Sequence, residues 1–213
     1  MALLALVSCR QTGNTDYNPT DARTFGLTGD VKEVKVLFQY ADMEDDWLLR
    51  MTFDEKGRVT LADYAFEFEY DENGQVICAE GTELIRDEKG RITSYGNTSD
   101  YMDEDFSHVN FEYDSADRTH KEISSEWEWS STYTYVFEGK NVYPSEAGIS
   151  GGGEGAAEDG KATYDYIKFD SKGNWTERKT TIVSVLNADE NGGESDTLEA
   201  VEKRIITYWS DED

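Results

Sequence analysis

The sequence predicts an all-β protein: an antiparallel meander of about twelve short strands, in a sheet that curls, splits into a sandwich or closes like a barrel. Three observations predict it. A corner motif, aromatic-Asp-x-x-Gly, recurs along the chain, and the segments between corners alternate apolar and polar residues with a period of two. Eighteen glycines beside only two prolines suit a chain with many turns and few rigid breaks. At 213 residues, such a chain forms one domain and buries roughly 70% of its unfolded surface without needing staples.

The corners come first. Phe53-Asp54-Glu55-Lys56-Gly57-Arg58-Val59-Thr60 recurs as Tyr70-Asp71-Glu72-Asn73-Gly74-Gln75-Val76-Ile77 and as Arg86-Asp87-Glu88-Lys89-Gly90-Arg91-Ile92-Thr93. A degenerate copy, with Asp117 in place of glycine, is Tyr113-Asp114-Ser115-Ala116-Asp117-Arg118, and a late copy is Phe169-Asp170-Ser171-Lys172-Gly173-Asn174-Trp175-Thr176. The aspartate is expected to accept hydrogen bonds from backbone N–H groups two and three residues on, which favours a type I turn. The glycine supplies the positive φ that closes a hairpin through a bulge. Asp54, Gly57, Asp71, Gly74, Asp87, Gly90, Asp170 and Gly173 are therefore structural turn residues.

The strands follow from the alternation. Val34, Val36, Phe38 and Tyr40 share a face, as do Trp47, Leu49, Met51 and Phe53. Phe66, Phe68 and Tyr70 oppose Glu67 and Glu69, and Val109, Phe111 and Tyr113 oppose His108, Asn110 and Glu112. Tyr133, Tyr135 and Phe137 keep the same rule. A sheet with one aromatic face and one acidic face must cover the former. Residues 96–105, 144–161 and 187–196 are expected as irregular excursions, and no segment has a convincing helical period. The body is a single domain over residues 25–210.

The first nine residues carry an address. Met1–Val7 is an apolar run, and Leu6-Val7-Ser8-Cys9 resembles the lipobox of bacterial lipoproteins, in which the cysteine becomes an acylated N-terminus. The run is short and lacks a preceding Lys or Arg, as though the signal were truncated. Cys9 is then the lipidation site, and acyl chains at about 0.8 kcal/mol per buried CH₂ form the membrane attachment. Arg10 rather than Asp after the cysteine resembles the outer-membrane sorting pattern. Residues 10–24, polar and carrying Pro19, read as a flexible tether. No other stretch approaches the 18 apolar residues that a spanning helix needs, so the membrane contact is through the lipid anchor. Cys78 is left without an intramolecular partner and reads as a small buried apolar side chain.

The aromatic-Asp-x-x-Gly-Arg-(Val/Ile)-Thr units resemble the YD repeats of RHS-type bacterial surface proteins. More narrowly, the chain resembles small bacterial envelope lipoproteins of unknown function that carry a few such units. Phe25–Val34 resembles their opening strand, Gly173–Arg178 their penultimate hairpin and Glu202–Trp209 their closing strand. The resemblance implies a β-meander and an envelope location. It implies no activity.

Charge and side-chain inventory then exclude classes. The formal net charge of −26 opposes binding to nucleic acid and adsorption onto anionic lipid. Asn187-x-Asp189-x-Asn191-Gly192 resembles the start of a calcium loop, but its twelfth position is Leu198, not Glu. Asp100, Asp103 and Asp105 read as a solvated acidic loop, and His108, His120 and Cys78 are too few for a zinc site, so no metal and no cofactor is expected. His108 and His120 read as exposed and near no nucleophile elbow, so no catalytic residue is assigned. Gly151–Gly155 reads as a flexible loop, since it lacks the Lys and Ser/Thr of a phosphate cradle. Glu126-Trp127-Glu128-Trp129 places two indoles on one strand face, filling the core opposite Tyr133 and Tyr135 or stacking on sugar rings. The expectation is a non-enzymatic envelope lipoprotein, a binding or structural module for a protein or glycan partner, with an antagonist of a basic protein as one form. The competing expectation is a carbohydrate-binding or carbohydrate-active protein using Trp127, Trp129 and carboxylates.

Overall fold

The computed structural model describes residues 21–40, 46–63, 65–79, 81–97, 107–153, 156–187 and 194–211. Cys9 and the rest of the lipobox, most of the tether, the Asp100/Asp103/Asp105 group and the Asp189–Gly192 stretch lie outside them. Fourteen strands form among the described residues. The first seven are β1 (Val31–Tyr40), β2 (Asp46–Phe53), β3 (Val59–Ala62), β4 (Phe66–Tyr70), β5 (Val76–Cys78), β6 (Thr82–Arg86) and β7 (Ile92–Asn97). The rest are β8 (Ser107–Tyr113), β9 (Thr119–Glu126), β10 (Trp129–Val136), β11 (Glu146–Gly153), β12 (Ala156–Phe169), β13 (Trp175–Asn187) and β14 (Glu194–Tyr208).

All neighbours are antiparallel, in the order β5-β4-β3-β2-β1-β14-β13-β12-β11-β10-β9-β8-β7-β6. The two ends of this list, β5 and β6, are consecutive in sequence, so the sheet curls until it nearly closes as a barrel. Across the remaining seam, Phe66 and Phe68 on β4 meet the ring of Tyr95 on β7 at 5.5 and 6.5 Å. Inward residues make the main core, including Val34, Met51, Phe53, Phe68, Leu84, Ile92 and Trp175. A smaller cluster, Ala147, Ile149 and Ala162, lies under Tyr133, Tyr135 and Tyr164.

In a meander, alternate corners fall at the same end, so the five aspartate corners, after β2, β4, β6, β8 and β12, share one rim. Their chemistry is uniform, with one correction to the expected bonds. Oδ1 of Asp54 accepts the N–H groups of Lys56 and Arg58, both at 2.9 Å, so the contacts are to residues two and four on, not two and three. Asp71, Asp87, Asp114 and Asp170 repeat the pattern. The reason is the bulge: Gly57, Gly74, Gly90 and Gly173 have φ between 77 and 85°, and Asp117 has 60°, which folds the next N–H back onto the carboxylate. The arginine after the bulge adds a link between units. Arg58, Arg91 and Arg118 donate Nε to their own corner aspartate and lie 3.9, 4.1 and 4.2 Å over the rings of Tyr70, Tyr113 and Phe137. Tyr70 and Tyr113 are the aromatic residues of following corners.

Part of the rim is covered by a segment that the sequence reading places in the tether. Asp21–Thr24 forms one helical turn, α1, with Asp21, Ala22 and Thr24 buried. The Asp21 carboxylate takes the Val59 N–H at 2.9 Å and the Arg86 guanidinium at 2.5 and 2.8 Å. Thr24 bonds Tyr113 and Thr119, and Phe25 touches Phe53, Tyr95 and Phe111. Thr28 and Asn174 exchange two bonds of 2.8 Å. The body therefore starts at or before Asp21, because this short segment is tied to strands all round the rim.

The excursions also need correction. Residues 144–161 contain most of the β11–β12 hairpin, not a loose loop, and β12, β13 and β14 are 14, 13 and 15 residues long rather than short. Glycine here records close backbone approach. A Cβ at Gly153 would overlap the carbonyl oxygen of Glu128, and one at Gly160 would sit 2.8 Å from that of Val183. Strand β13 extends to Asn187 and β14 begins at Glu194, so only residues 188–193 remain of the third excursion, outside the described set. Cys78 is buried in β5 as expected for a small apolar side chain, but it is disulfide-bonded, not without a partner.

Candidate functional site

The curled sheet encloses a cavity of about 560 Å³. Val36, Met51, Phe111, Tyr143, Tyr166 and Trp175 are among its walls, and it reaches the aspartate rim beside Arg118 and Val142. Period-two alternation brings polar side chains inward with them. On one wall, Tyr166 pairs with Arg178, Arg178 with Glu202, and Arg204 with Val36 across β12, β13, β14 and β1.

That wall carries two guanidinium groups and one carboxylate, which is in direct contact with one of them. Arg178 Nη2 meets Glu202 Oε2 at 2.7 Å, and Glu202, only 1% exposed, also accepts the Thr180 hydroxyl. Burial alone would lower the pKa of Arg178, yet the Glu202 pair outweighs it and holds the group above its ordinary value. Both arginines use the same indole: Arg178 lies 4.4 Å from the Trp175 ring and Arg204 lies 3.7 Å from it. Arg204 has no such carboxylate among the described residues. Its Nε and Nη1, and Nε of Arg178, are buried with no hydrogen-bond partner among the described residues. Burial, and then the neighbouring charge of Arg178, push Arg204 down to about 9.

The facing wall is acidic and phenolic. Tyr135 donates to Glu122 at 3.1 Å, and burial lifts the Glu122 carboxyl to about 6. Tyr95 donates to Asp63, whose pKa burial likewise raises. Asp63 itself sits at a positive φ of 50° in the turn after β3. The cavity thus offers aromatic surface, an unanswered cation on one side and hydroxyl–carboxylate pairs on the other.

The structure moves several residues singled out from sequence. Asp54, Gly57, Asp71, Gly74, Asp87, Gly90, Asp170 and Gly173 lie in the rim corners. Trp127 and Trp129 do not share a strand face. Glu126 pairs with Trp129, so Trp127 and Glu128 are the two corner residues of the β9–β10 hairpin. Trp127 has φ 42° and is 44% exposed, whereas Trp129 is half-buried and donates Nε1 to Ser131 Oγ at 2.9 Å. Neither a core pair nor a paired stacking platform results. His120 is exposed, as expected. His108 is not: its Nε2 lies 2.5 Å from Ser94 Oγ and its Nδ1 lies 3.6 Å from Glu83. This arrangement sits on the outer face, beside Gly96, where a Cβ would strike the imidazole at 2.7 Å. It is a poor nucleophile site, since Ser94 is only 4% exposed and the His–Glu separation exceeds a hydrogen bond.

Sequence reasoning missed Arg178, Arg204, Glu122 and Asp63. For the two arginines a signal existed. Ile206 and Tyr208 continue the apolar parity of β14, which assigns Glu202 and Arg204 to the inner face, and Thr180 and Ile182 do the same for Arg178. Among the described residues no three His, Cys, Asp or Glu side chains gather to hold a metal, and no helix is long and apolar enough to cross a membrane. Comparison of the chain with protein-family models, curated proteins and solved structures returned no match.

Proposed function

We propose that this chain is a non-enzymatic binding protein of the bacterial cell envelope, lipid-anchored through Cys9, whose barrel interior receives a small ligand. One observation carries the binding part: an interior cavity of about 560 Å³, within the ordinary range for small-molecule sites, where aromatic walls surround polar atoms that lack partners. The envelope part is supported by Leu6-Val7-Ser8-Cys9. The disulfide at Cys78 fits an oxidising, exported compartment but competes with the anchor instead of supporting it. The sequence has two cysteines, and the sulfur of Cys9 can hold an acylglycerol or a disulfide, not both. Intact mass of the membrane-extracted protein decides: a diacylglyceryl adduct on Cys9 supports the anchor, and an unmodified or disulfide-linked Cys9 removes it. For the binding part, the full-length chain is titrated with N-phenyl-1-naphthylamine, a neutral probe that fluoresces in apolar surroundings. Saturation near one probe per chain supports the cavity reading, and the absence of saturable binding overturns it.

A second reading, glycan binding at the outside, is favoured by Trp127 alone, an exposed indole at a hairpin tip. Retention on an immobilised glycan that is lost in Trp127→Ala would support it.

A further inference from the structure

The cavity is not neutral in its demands. Three buried N–H-bearing atoms of two arginines on one wall have no acceptor among the described residues: Nε and Nη1 of Arg204, and Nε of Arg178. Buried polar groups of folded proteins are normally satisfied, and an orphaned charged donor is costly. Arg178 at least has Glu202 as a partner. Arg204 lies against the Trp175 face, a contact that leaves Nε and Nη1 at its edge unused. Each edge of a guanidinium that can take an oxyanion in bidentate fashion includes Nη2 and one of the two orphans, Nε or Nη1. The rings of Tyr143, Tyr166 and Trp175, tilted by 36° and 57° between successive members, line the same cavity with aromatic surface.

We infer that the ligand of this cavity is an organic anion, with a carboxylate, sulfonate or phosphate head held by Arg204 and an aromatic or alicyclic body packed against Tyr143, Tyr166 and Trp175. This rests on the cavity-binding reading above. The pairing has a use in a protein of charge −26: the exterior repels anions generally, so retention of one depends on an interior point where, among the described residues, buried cations lack partners. Arg204 is then the anchoring residue, and Arg178, already paired with Glu202, assists through its free Nε.

Two probes with the same aromatic body separate the possibilities. The full-length chain is titrated with 1-anilinonaphthalene-8-sulfonate and with the neutral N-phenyl-1-naphthylamine, in the wild type and in Arg204→Met. A charged hydrogen bond in a buried site is worth roughly tenfold to hundredfold in affinity, so the sulfonate binds at least about tenfold more tightly to the wild type. In Arg204→Met that preference disappears while the neutral probe binds as before. Equal affinity of the two probes for the wild type overturns the anion inference and leaves the cavity reading standing. Binding of neither probe overturns both. A sulfonate preference that survives Arg204→Met also overturns the assignment. Should the variant fail to fold, the wild type still decides: preference for the sulfonate at a buried site persists in about 0.5 M salt, whereas surface adsorption is screened, and loss of the preference there counts against the inference.

Discussion

Replacing Asp21 by alanine tests whether the N-terminal segment is part of the barrel. The Asp21 side chain is fully buried, and that of its partner Arg86 is 8% exposed. Alanine would leave the Arg86 guanidinium with only the Gly90 carbonyl at 2.9 Å and the Tyr70 hydroxyl at 3.4 Å, and would strip the Val59 N–H of its acceptor. Removing one member of a buried ion pair costs about 3–5 kcal/mol, and the orphaned amide lies within that figure. At roughly 2–4 °C per kcal/mol for a chain of this size, the midpoint falls by about 6–20 °C. Thermal and urea unfolding followed by far-UV circular dichroism read the loss. A second variant, Asp21→Ala with Arg86→Met, removes the stranded charge and should recover about 2 kcal/mol or more of the single-mutant loss. If the segment lifts off without global unfolding, the Val59 amide exchanges faster while the midpoint holds. A loss below about 1 kcal/mol with an unchanged Val59 exchange rate would refute the docked segment and return the domain boundary to residue 25.

Further outcomes follow from single sites. Burial, aided by the charge of Asp63, raises Glu122 from 4.5 to about 6. A raised acid favours folding when protonated, so its contribution is complete below about pH 4.5 and lost as pH rises through 6; Glu122→Gln should therefore match the wild type at pH 4 and exceed it at pH 8 by about 1–2 kcal/mol in urea unfolding. Equal stability differences at the two pH values would count against this. Trp127→Gly relieves a positive φ at the β9–β10 corner and should add about 0.5–1 kcal/mol, with no gain counting against a strained corner. Gly153→Val drives a side chain into the Glu128 carbonyl and should cost about 2 kcal/mol or more, and a cost under about 0.5 kcal/mol would contradict the close approach of β10 and β11.

What was legible in the sequence was what is decided locally. An aspartate followed three residues later by a glycine determines its own corner, so Asp54, Asp71, Asp87 and Asp170 could be placed without knowing any neighbour. The alternation of Phe66-Glu67-Phe68-Glu69 likewise fixes a face. The failures are at residues whose state depends on distant chain. Gly153 reads as looseness until the Glu128 carbonyl before β10 is laid against it, and then as a position with no room for a side chain. Asp21 reads as tether because its partner, Arg86, is 65 residues away. Trp127 and Trp129 alternate correctly for a strand, but the hairpin turns between them, a choice of register that the apolar pattern does not encode. Arg178 and Arg204 look like surface charges until the parity of β13 and β14 is carried through from Ile182 and Tyr208. The site is harder to read than the fold because it consists of residues that break the inside–outside rule.

That exception makes a last, separate prediction about the empty protein. Holding Arg204 in the interior disfavours the folded state, since its charge is desolvated and its donors are unanswered, while the Trp175 contact recovers up to about 2 kcal/mol. Arg204→Met keeps most of the apolar stem against Trp175 and removes the charge, so the ligand-free variant should be as stable as the wild type or more stable, by about 1–3 kcal/mol. The relation should invert with ligand. An anion answering the orphaned donors stabilises the wild type by RT ln(1 + [L]/Kd), about 2.7 kcal/mol at a hundredfold excess over Kd, and stabilises the variant much less. Thermal unfolding of both proteins with and without saturating anilinonaphthalene sulfonate therefore yields crossing orders of stability. If ligand-free Arg204→Met is instead destabilised by more than about 2 kcal/mol, the guanidinium is a structural brace whose partners outweigh its burial. A cation that stabilises the empty barrel does not call for an anion to complete it.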